Sequence, residues 1–143
     1  MNSHVLPESF LRCLSPEDRK SLGRGGITAE EAISKQVAKS ERELQGQIVN
    51  LLRLKGIEPL WHRTNKKSGA TIGWPDITFS VLGVAWDLTT IACAWEVKFG
   101  DGELSKEQKQ MAVRLQSPPN NWCWREIRSV DQALKELREM GIE

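Results

Sequence analysis

The chain has 143 residues, of which 39% are hydrophobic and 27% charged, and its formal net charge is +1. These values are typical of one folded domain with a single core, and they exclude a disordered or polycationic chain. No run approaches the roughly 18 apolar residues of a membrane span, and the first ten residues lack a secretory-signal pattern. The three cysteines lie far apart in sequence, which argues against a zinc site or a disulfide framework and predicts a cytoplasmic protein.

Residues 1–39 are predicted to form a helical extension that precedes the main domain at residues 40–143. Ser15, followed by Pro16 and two acidic residues, has the pattern of a helix start. Serine caps a helix, proline fits its first position, and acidic side chains suit its positive end. The glycines that follow would end this helix, and a second helix is expected to begin at Thr28.

The second helix could be long. Its apolar residues from Ile33 to Leu52 share one stripe at helical spacing, and Gly56 fits the end of the helix. Ser40 with Glu43 three residues later also matches a capping box, which would begin a new helix at Ser40. The sequence leaves both alternatives open.

Alternating polar and apolar residues predict the central strands. A short strand is expected at residues 59–63, followed by a polar loop. Residues 76–81 and 91–97 then alternate, with large apolar side chains at the odd positions. A turn near Trp86 would join these two strands as a hairpin.

The last third of the chain is predicted to form a helix, a strand and a helix. The first helix begins at Ser105 and runs to about Leu115, the strand spans residues 122–128, and Ser129 caps the final helix. The order α-β-β-β-α-β-α predicts an α/β fold with one mixed sheet that helices flank.

Two acidic residues and a lysine are expected to meet on one face of the hairpin. Side chains alternate along a strand, so Glu96 and Lys98 share a face, and pairing the apolar faces brings Asp76 to it. With the turn near Trp86, Asp76 lies roughly opposite Glu96, with Cβ atoms about 5 Å apart. Two carboxylates that close favour a divalent cation between them, such as Mg²⁺. The alternative is a solvated sheet face with an ordinary Glu96–Lys98 ion pair.

Four short motifs occur in a fixed order and resemble a known family. The motifs Gly73-Trp74-Pro75-Asp76 and Trp95-Glu96-Val97-Lys98 resemble the PD-(D/E)XK nucleases, in particular the VRR-NUC branch, which is similar to archaeal Holliday-junction resolvases. Residues 41–45 resemble the family's E-x-x-L-Q helix, and residues 102–108 its G-x-L-S-x-x-Q motif. The resemblance covers about residues 40–137, and the segment before it looks like phage-type members.

The resemblance implies a restriction-endonuclease-like fold and hydrolysis of DNA phosphodiesters that depends on Mg²⁺ or Mn²⁺. It further implies a homodimer that cleaves branched or Holliday-junction-like DNA in recombination, repair or phage DNA processing. A flap or end-processing nuclease, a restriction-like nuclease, and a catalytically silent DNA-binding module on the same fold are the alternatives.

The resemblance also implies a set of site residues. The metal ligands would be Glu41, Asp76, Glu96 and Val97, with Lys98 assisting the attacking water and Gln45 and Gln108 supporting the site. Glu41 is favoured over Glu43 because it lies within the apolar stripe of the helix, where a carboxylate needs a partner. Gln108 also fits a capping box with Ser105, and both roles can hold.

Basic and aromatic residues near the predicted site could bind DNA. Arg63, Lys66 and Lys67 are predicted to contact phosphates, although a solvated loop is the alternative. Trp74 is predicted either to lie near DNA or to anchor the loop. Trp95 is expected in the core, and Trp122 and Trp124 in the core or at an interface.

Overall fold

The computed structural model describes residues 28–61, 72–83 and 89–143. The predicted helix near Ser15, the turn near Trp86 and the basic residues Arg63, Lys66 and Lys67 lie outside the described residues. The described elements are α1 (Ala29–Lys35), α2 (Glu41–Leu54), β1 (Leu60–Trp61), β2 (Ile77–Gly83), β3 (Thr89–Val97), α3 (Lys106–Gln116), β4 (Cys123–Ile127) and α4 (Val130–Glu139).

The strands form one mixed sheet in the order β1-β2-β3-β4. β2 pairs antiparallel with both β1 and β3, whereas β4 pairs parallel with β3. The parallel pair needs a crossover, and α3 lies between these two strands in the chain. The predicted α/β architecture, a mixed sheet with flanking helices, is confirmed.

The chain leaves the helical conformation between α1 and α2, so the long-helix alternative is wrong. Val37, which belongs to the apolar stripe in sequence, is 82% exposed. The Ser40 side chain caps α2 by accepting a hydrogen bond from the Glu43 N–H at 3.2 Å. The Glu43 carboxylate accepts from the Lys39 N–H at 2.7 Å, one residue before the position that a full capping box would use.

The main core lies between the odd-numbered face of the sheet and helices α1, α2 and α4. Apolar side chains at alternate positions of β2 and β3 are buried there, as the period-two pattern predicts. Trp95 is fully buried and packs edge-to-face on Phe79 with ring centroids 4.8 Å apart. Ala32 and Ile33 bring α1 into the same core, and the division of the chain at residue 39 stays a prediction.

A second, smaller core lies on the even-numbered face, where α3 packs on the sheet. Ala94 of β3 is buried there against Met111 and Leu115 of α3. Three half-buried tryptophans, Trp74, Trp122 and Trp124, pack around this cluster. None of the helices in the described residues is long and apolar enough to cross a membrane.

Candidate functional site

The hairpin register brings the two predicted carboxylates together. Ile77 pairs with Trp95, so the next pair outward along the hairpin is Asp76 opposite Glu96. The Asp76 Oδ2 accepts a hydrogen bond from the Val97 N–H at 2.9 Å. This bond ties the residue just before β2 to the end of β3, as the sequence predicts for these strands.

The pKa values of the Asp76 and Glu96 carboxyl groups are both raised. Burial, followed by the negative charge of Asp76, raises the pKa of Glu96 from 4.5 to about 8. Burial also raises the pKa of Asp76, against hydrogen bonds from Val97 and Glu96 and the charge of Lys98. The hydrogen bond between the two carboxyls raises the pKa of Glu96 and lowers that of Asp76, which makes Glu96 the more basic of the two.

Lys98 supplies the positive charge at this site. Its Nζ lies 3.4 Å from Oε1 of Glu96, and the backbone N–H of Lys98 donates to the carbonyl of Ile127 at 3.0 Å. Glu96 is 1% exposed and Lys98 8% exposed. An ion pair on a solvated sheet face would leave both side chains in water, so the structure contradicts that alternative.

Gln108 forms the predicted capping box and also contacts Glu96. Its Oε1 accepts from the Ser105 N–H at 2.8 Å, and Ser105 Oγ accepts from the Gln108 N–H at 3.1 Å, which completes a capping box at the start of α3. The remaining amide group, Nε2, donates to Oε1 of Glu96 at 2.5 Å. The helix start and the carboxyl pair are therefore joined through one side chain.

Helix α2 contributes Gln45, which is 3% exposed and hydrogen-bonds to the Asp76 side chain. Glu41 lies one turn earlier on the same face of this helix and is half-buried, whereas Glu43 is exposed and occupied by its bond to Lys39. Within the described residues, no hydrogen bond or ion pair joins Glu41 to the carboxyl pair. A role for Glu41 at the metal stays a prediction.

The turn before Asp76 is held against the start of α3. Gly73 has a φ of +83°, and a Cβ added there would lie 2.6 Å from the carbonyl oxygen of Glu107. Glycine is required both for this conformation and for this close approach. Trp74, the next residue, contacts Trp122 edge-to-face with centroids 5.8 Å apart, so it anchors the turn.

Glu126 is a neighbour of the site that the sequence interpretation missed. The parallel register places it beside Glu96 on the same face of the sheet. Its carboxylate is ion-paired with Arg128, whose guanidinium also donates to the carbonyls of Gly100 and Gly102 at 3.0 and 2.8 Å. Alternation along residues 122–128 fixes the face of Glu126 in advance, but its partner strand could not be inferred from alternation.

The donor set fits a hard divalent cation that keeps most of its water. Mg²⁺ usually takes one or two carboxylates, and Asp76 and Glu96 supply two that repel when both are ionised. Among the described residues, no three or more His, Cys, Asp or Glu side chains form a metal-binding group in the metal-free structure. Val97 contacts the site through its N–H, and its role as a ligand stays a prediction.

Comparisons of the chain with protein-family models, with curated proteins and with solved structures found no match. The site is therefore characterised by its geometry and by the four sequence motifs.

Proposed function

We propose that the protein is a metal-dependent nuclease of the PD-(D/E)XK type that hydrolyses DNA phosphodiester bonds. The observation that carries the proposal is the carboxyl pair of half-buried Asp76 and buried Glu96, with Lys98 Nζ 3.4 Å from Oε1 of Glu96. Two carboxyls and an ammonium in one largely buried cluster are costly to desolvate, and functional sites are where such clusters concentrate. The order of helices and strands around the pair supports a restriction-endonuclease-like fold.

In this proposal, Asp76 and Glu96 hold Mg²⁺ or Mn²⁺, and Glu96 loses its proton when the ion binds. A bound ion of this kind acidifies a water molecule for attack on phosphorus and neutralises charge on the phosphoryl group. Lys98 donates hydrogen bonds to the attacking water or to a phosphoryl oxygen. Gln45 and Gln108 hold the two carboxyls in place through the bonds described above.

A cleft lined by residues of β2 that follow Asp76 in the chain offers a surface for the substrate. It has a volume of about 360 Å³, and Thr78, Ser80, Leu60 and Trp122 are among its lining residues. Thr78 and Ser80 follow Asp76 on the same face of β2, where hydroxyl groups can bind phosphate oxygens. An indole such as that of Trp122 can stack on a base. Selectivity for branched DNA and a homodimer follow from the resemblance and belong to the proposal.

The test is a cleavage assay with a four-way junction, a flap, a nicked duplex, a linear duplex and a single strand. Each substrate is incubated with Mg²⁺, with Mn²⁺ or with a chelator. We expect metal-dependent cleavage by the wild-type protein, and DNA binding without cleavage by Asp76→Asn. Asp101→Asn is the matched control, because Asp101 is exposed in the loop after β3.

Three results would count against the proposal. Absence of cleavage of every substrate with both metals, by a protein that binds DNA, would favour the silent DNA-binding module. Cleavage that persists in the chelator would exclude the metal. Retention of more than about a tenth of the wild-type rate by Asp76→Asn would exclude this carboxyl pair as the centre of the reaction.

A further inference from the structure

Two free cysteines are neighbours on the face of the sheet opposite the candidate active site. Cys93 in β3 and Cys123 in β4 are direct partners in the parallel register, so their side chains point to the same side. Neighbouring strands lie about 4.8 Å apart, within the Cα–Cα separation of roughly 4.4–6.8 Å that a disulfide requires. The fold therefore pairs two thiols that are distant in sequence.

The two thiols differ in their access to solvent. Cys93 is fully buried, with its Sγ 3.8 Å from Sδ of Met140. Cys123 is only half-buried, because β4 is the last strand of the sheet. A reagent in solution can therefore reach Cys123, whereas Cys93 is reached only through its neighbour.

The charges and hydrogen bonds around the pair favour a thiolate at Cys123. A hydrogen bond from the Cys93 thiol, followed by the charge of Arg125, lowers the pKa of Cys123 to about 7, although burial and Glu136 oppose this. Arg125 lies two residues on along the same face of β4, and Glu136 of α4 is ion-paired with it at 3.0 Å. The same hydrogen bond, with burial, raises the pKa of Cys93. The accessible thiol is thus the nucleophile of the pair.

We propose that Cys123 is a site of oxidation by small hydroperoxides, and that Cys93 converts the oxidised form into a Cys93–Cys123 disulfide. The Cys123 thiolate attacks one peroxide oxygen, and the O–O bond breaks. Sulfur loses two electrons, the departing oxygen takes a proton, and a sulfenic acid and water (or an alcohol) are formed. The Cys93 sulfur then attacks the sulfenic sulfur, and its proton leaves with the hydroxyl group as a second water.

The proposed modification is reversible. A dithiol reductant restores both thiols by exchange, and is itself oxidised to a disulfide. The proposal does not depend on the nuclease activity, because neither cysteine contacts the carboxyl pair.

The experiment uses the full chain with Cys13→Ser, so that only two thiols remain. After a pulse of hydrogen peroxide, we expect the intact mass to fall by two hydrogens, and a dithiol to restore it. Cys93→Ala should stop at the sulfenic acid, which dimedone labels at Cys123. Cys123→Ser should show neither product, because Cys93 is buried.

A second readout separates this role from simple core packing. The rate of alkylation of Cys123 should have its midpoint near pH 7. The midpoint should rise towards about 8.5, the value of an unperturbed thiol, in Cys93→Ala and in Arg125→Leu. Circular dichroism and the thermal midpoint show whether each variant is folded. If Cys93→Ala does not fold, the Cys13→Ser protein, which retains both Cys93 and Cys123, still tests whether the disulfide forms.

Defined outcomes would overturn the proposal. Folded protein that gains neither the disulfide nor a dimedone adduct would show that the pair is inert. Labelling of Cys93 in the Cys123→Ser variant would reverse the assigned roles. A disulfide that joins two chains, seen as a dimer on a non-reducing gel, would exclude the resolving role of Cys93.

Discussion

The raised pKa of Glu96 predicts how the stability of the metal-free protein depends on pH. The perturbation is Glu96→Gln, which replaces the carboxyl with a neutral group of nearly the same shape. Gln108 can still donate to the oxygen of the new amide, so the local packing should be retained. The variant therefore mimics the protonated form of Glu96 at every pH.

The sign follows from the proton that Glu96 holds. Its pKa is 4.5 in an unfolded chain and about 8 in the folded protein, so between these values only the folded state keeps the proton. The contribution of Glu96 to stability is then fully present below pH 4.5 and is lost as the pH rises towards 8. At 1.36 kcal/mol for each unit of pKa, the loss is at most about 5 kcal/mol, and the coupling of Glu96 to Asp76 reduces it to about 2–4 kcal/mol.

The assay is urea unfolding in a chelator at pH 5 and at pH 8.5, with the wild type, Glu96→Gln and Glu103→Gln. Glu103 is exposed, which makes its variant a matched control for the change of charge. We expect the wild type and the control to lose stability with rising pH, and Glu96→Gln to lose much less. A wild type whose free energy of unfolding is unchanged or higher at pH 8.5, or a Glu96→Gln variant that loses as much, would refute the reasoning.

Three further predictions concern the surroundings of the site. Gly73→Ala should lower the free energy of unfolding by about 1–3 kcal/mol in urea, because a Cβ at this positive φ would strain the turn and meet the carbonyl oxygen of Glu107. It should also weaken Mg²⁺ binding measured by calorimetry, because this turn leads to Asp76, and unchanged binding would contradict this. Glu41→Ala should weaken Mg²⁺ binding, whereas Glu43→Ala should lower the free energy of unfolding by about 1 kcal/mol and leave Mg²⁺ binding unchanged. The opposite pattern would exclude the predicted helical face. Replacing Lys66 and Lys67 with alanine, in a catalytically inactive variant, should reduce the slope of log DNA affinity against log salt concentration by about two units. An unaltered slope would remove this loop from the DNA-binding surface.

The hairpin could be predicted from the sequence because one periodicity determines several features at once. Alternation assigns each side chain to a face, and the centre of the turn determines the register. Asp76 opposite Glu96 and the burial of Trp95 follow from these two features. The cap at Ser105 could be predicted for a similar reason, because the residues that make it are three positions apart.

Local signals were insufficient where two of them disagreed. The apolar stripe predicts a helix that continues through Val37, whereas Ser40 predicts a new start, and sequence alone could not rank them. The structure follows the cap, and Val37 is exposed as a result. Propensity and capping each contribute about 1 kcal/mol or less per residue, so tertiary packing decides between such alternatives.

The sequence could not predict which residues of the parallel strands β3 and β4 lie beside each other. The register of β3 and β4 depends on the path of the crossover through α3, and no local pattern encodes that path. Glu126 beside Glu96 was therefore missed. The proximity of Cys93 and Cys123 was missed for the same reason, since their spacing in the chain argued against any pairing.

The double role of Gln108 limits which residue can occupy this position. Glutamate is the commonest partner in a capping box, and at this position it would preserve the helix start while placing a third carboxylate against Glu96. Asparagine is one methylene shorter, so its amide would not reach both the Ser105 N–H and Glu96. Leucine matches the size but has no donor or acceptor. Of the twenty side chains, only glutamine offers an acceptor for the Ser105 N–H and a neutral donor for the carboxyl pair at this length, so sequences that keep the site should tolerate no exchange here.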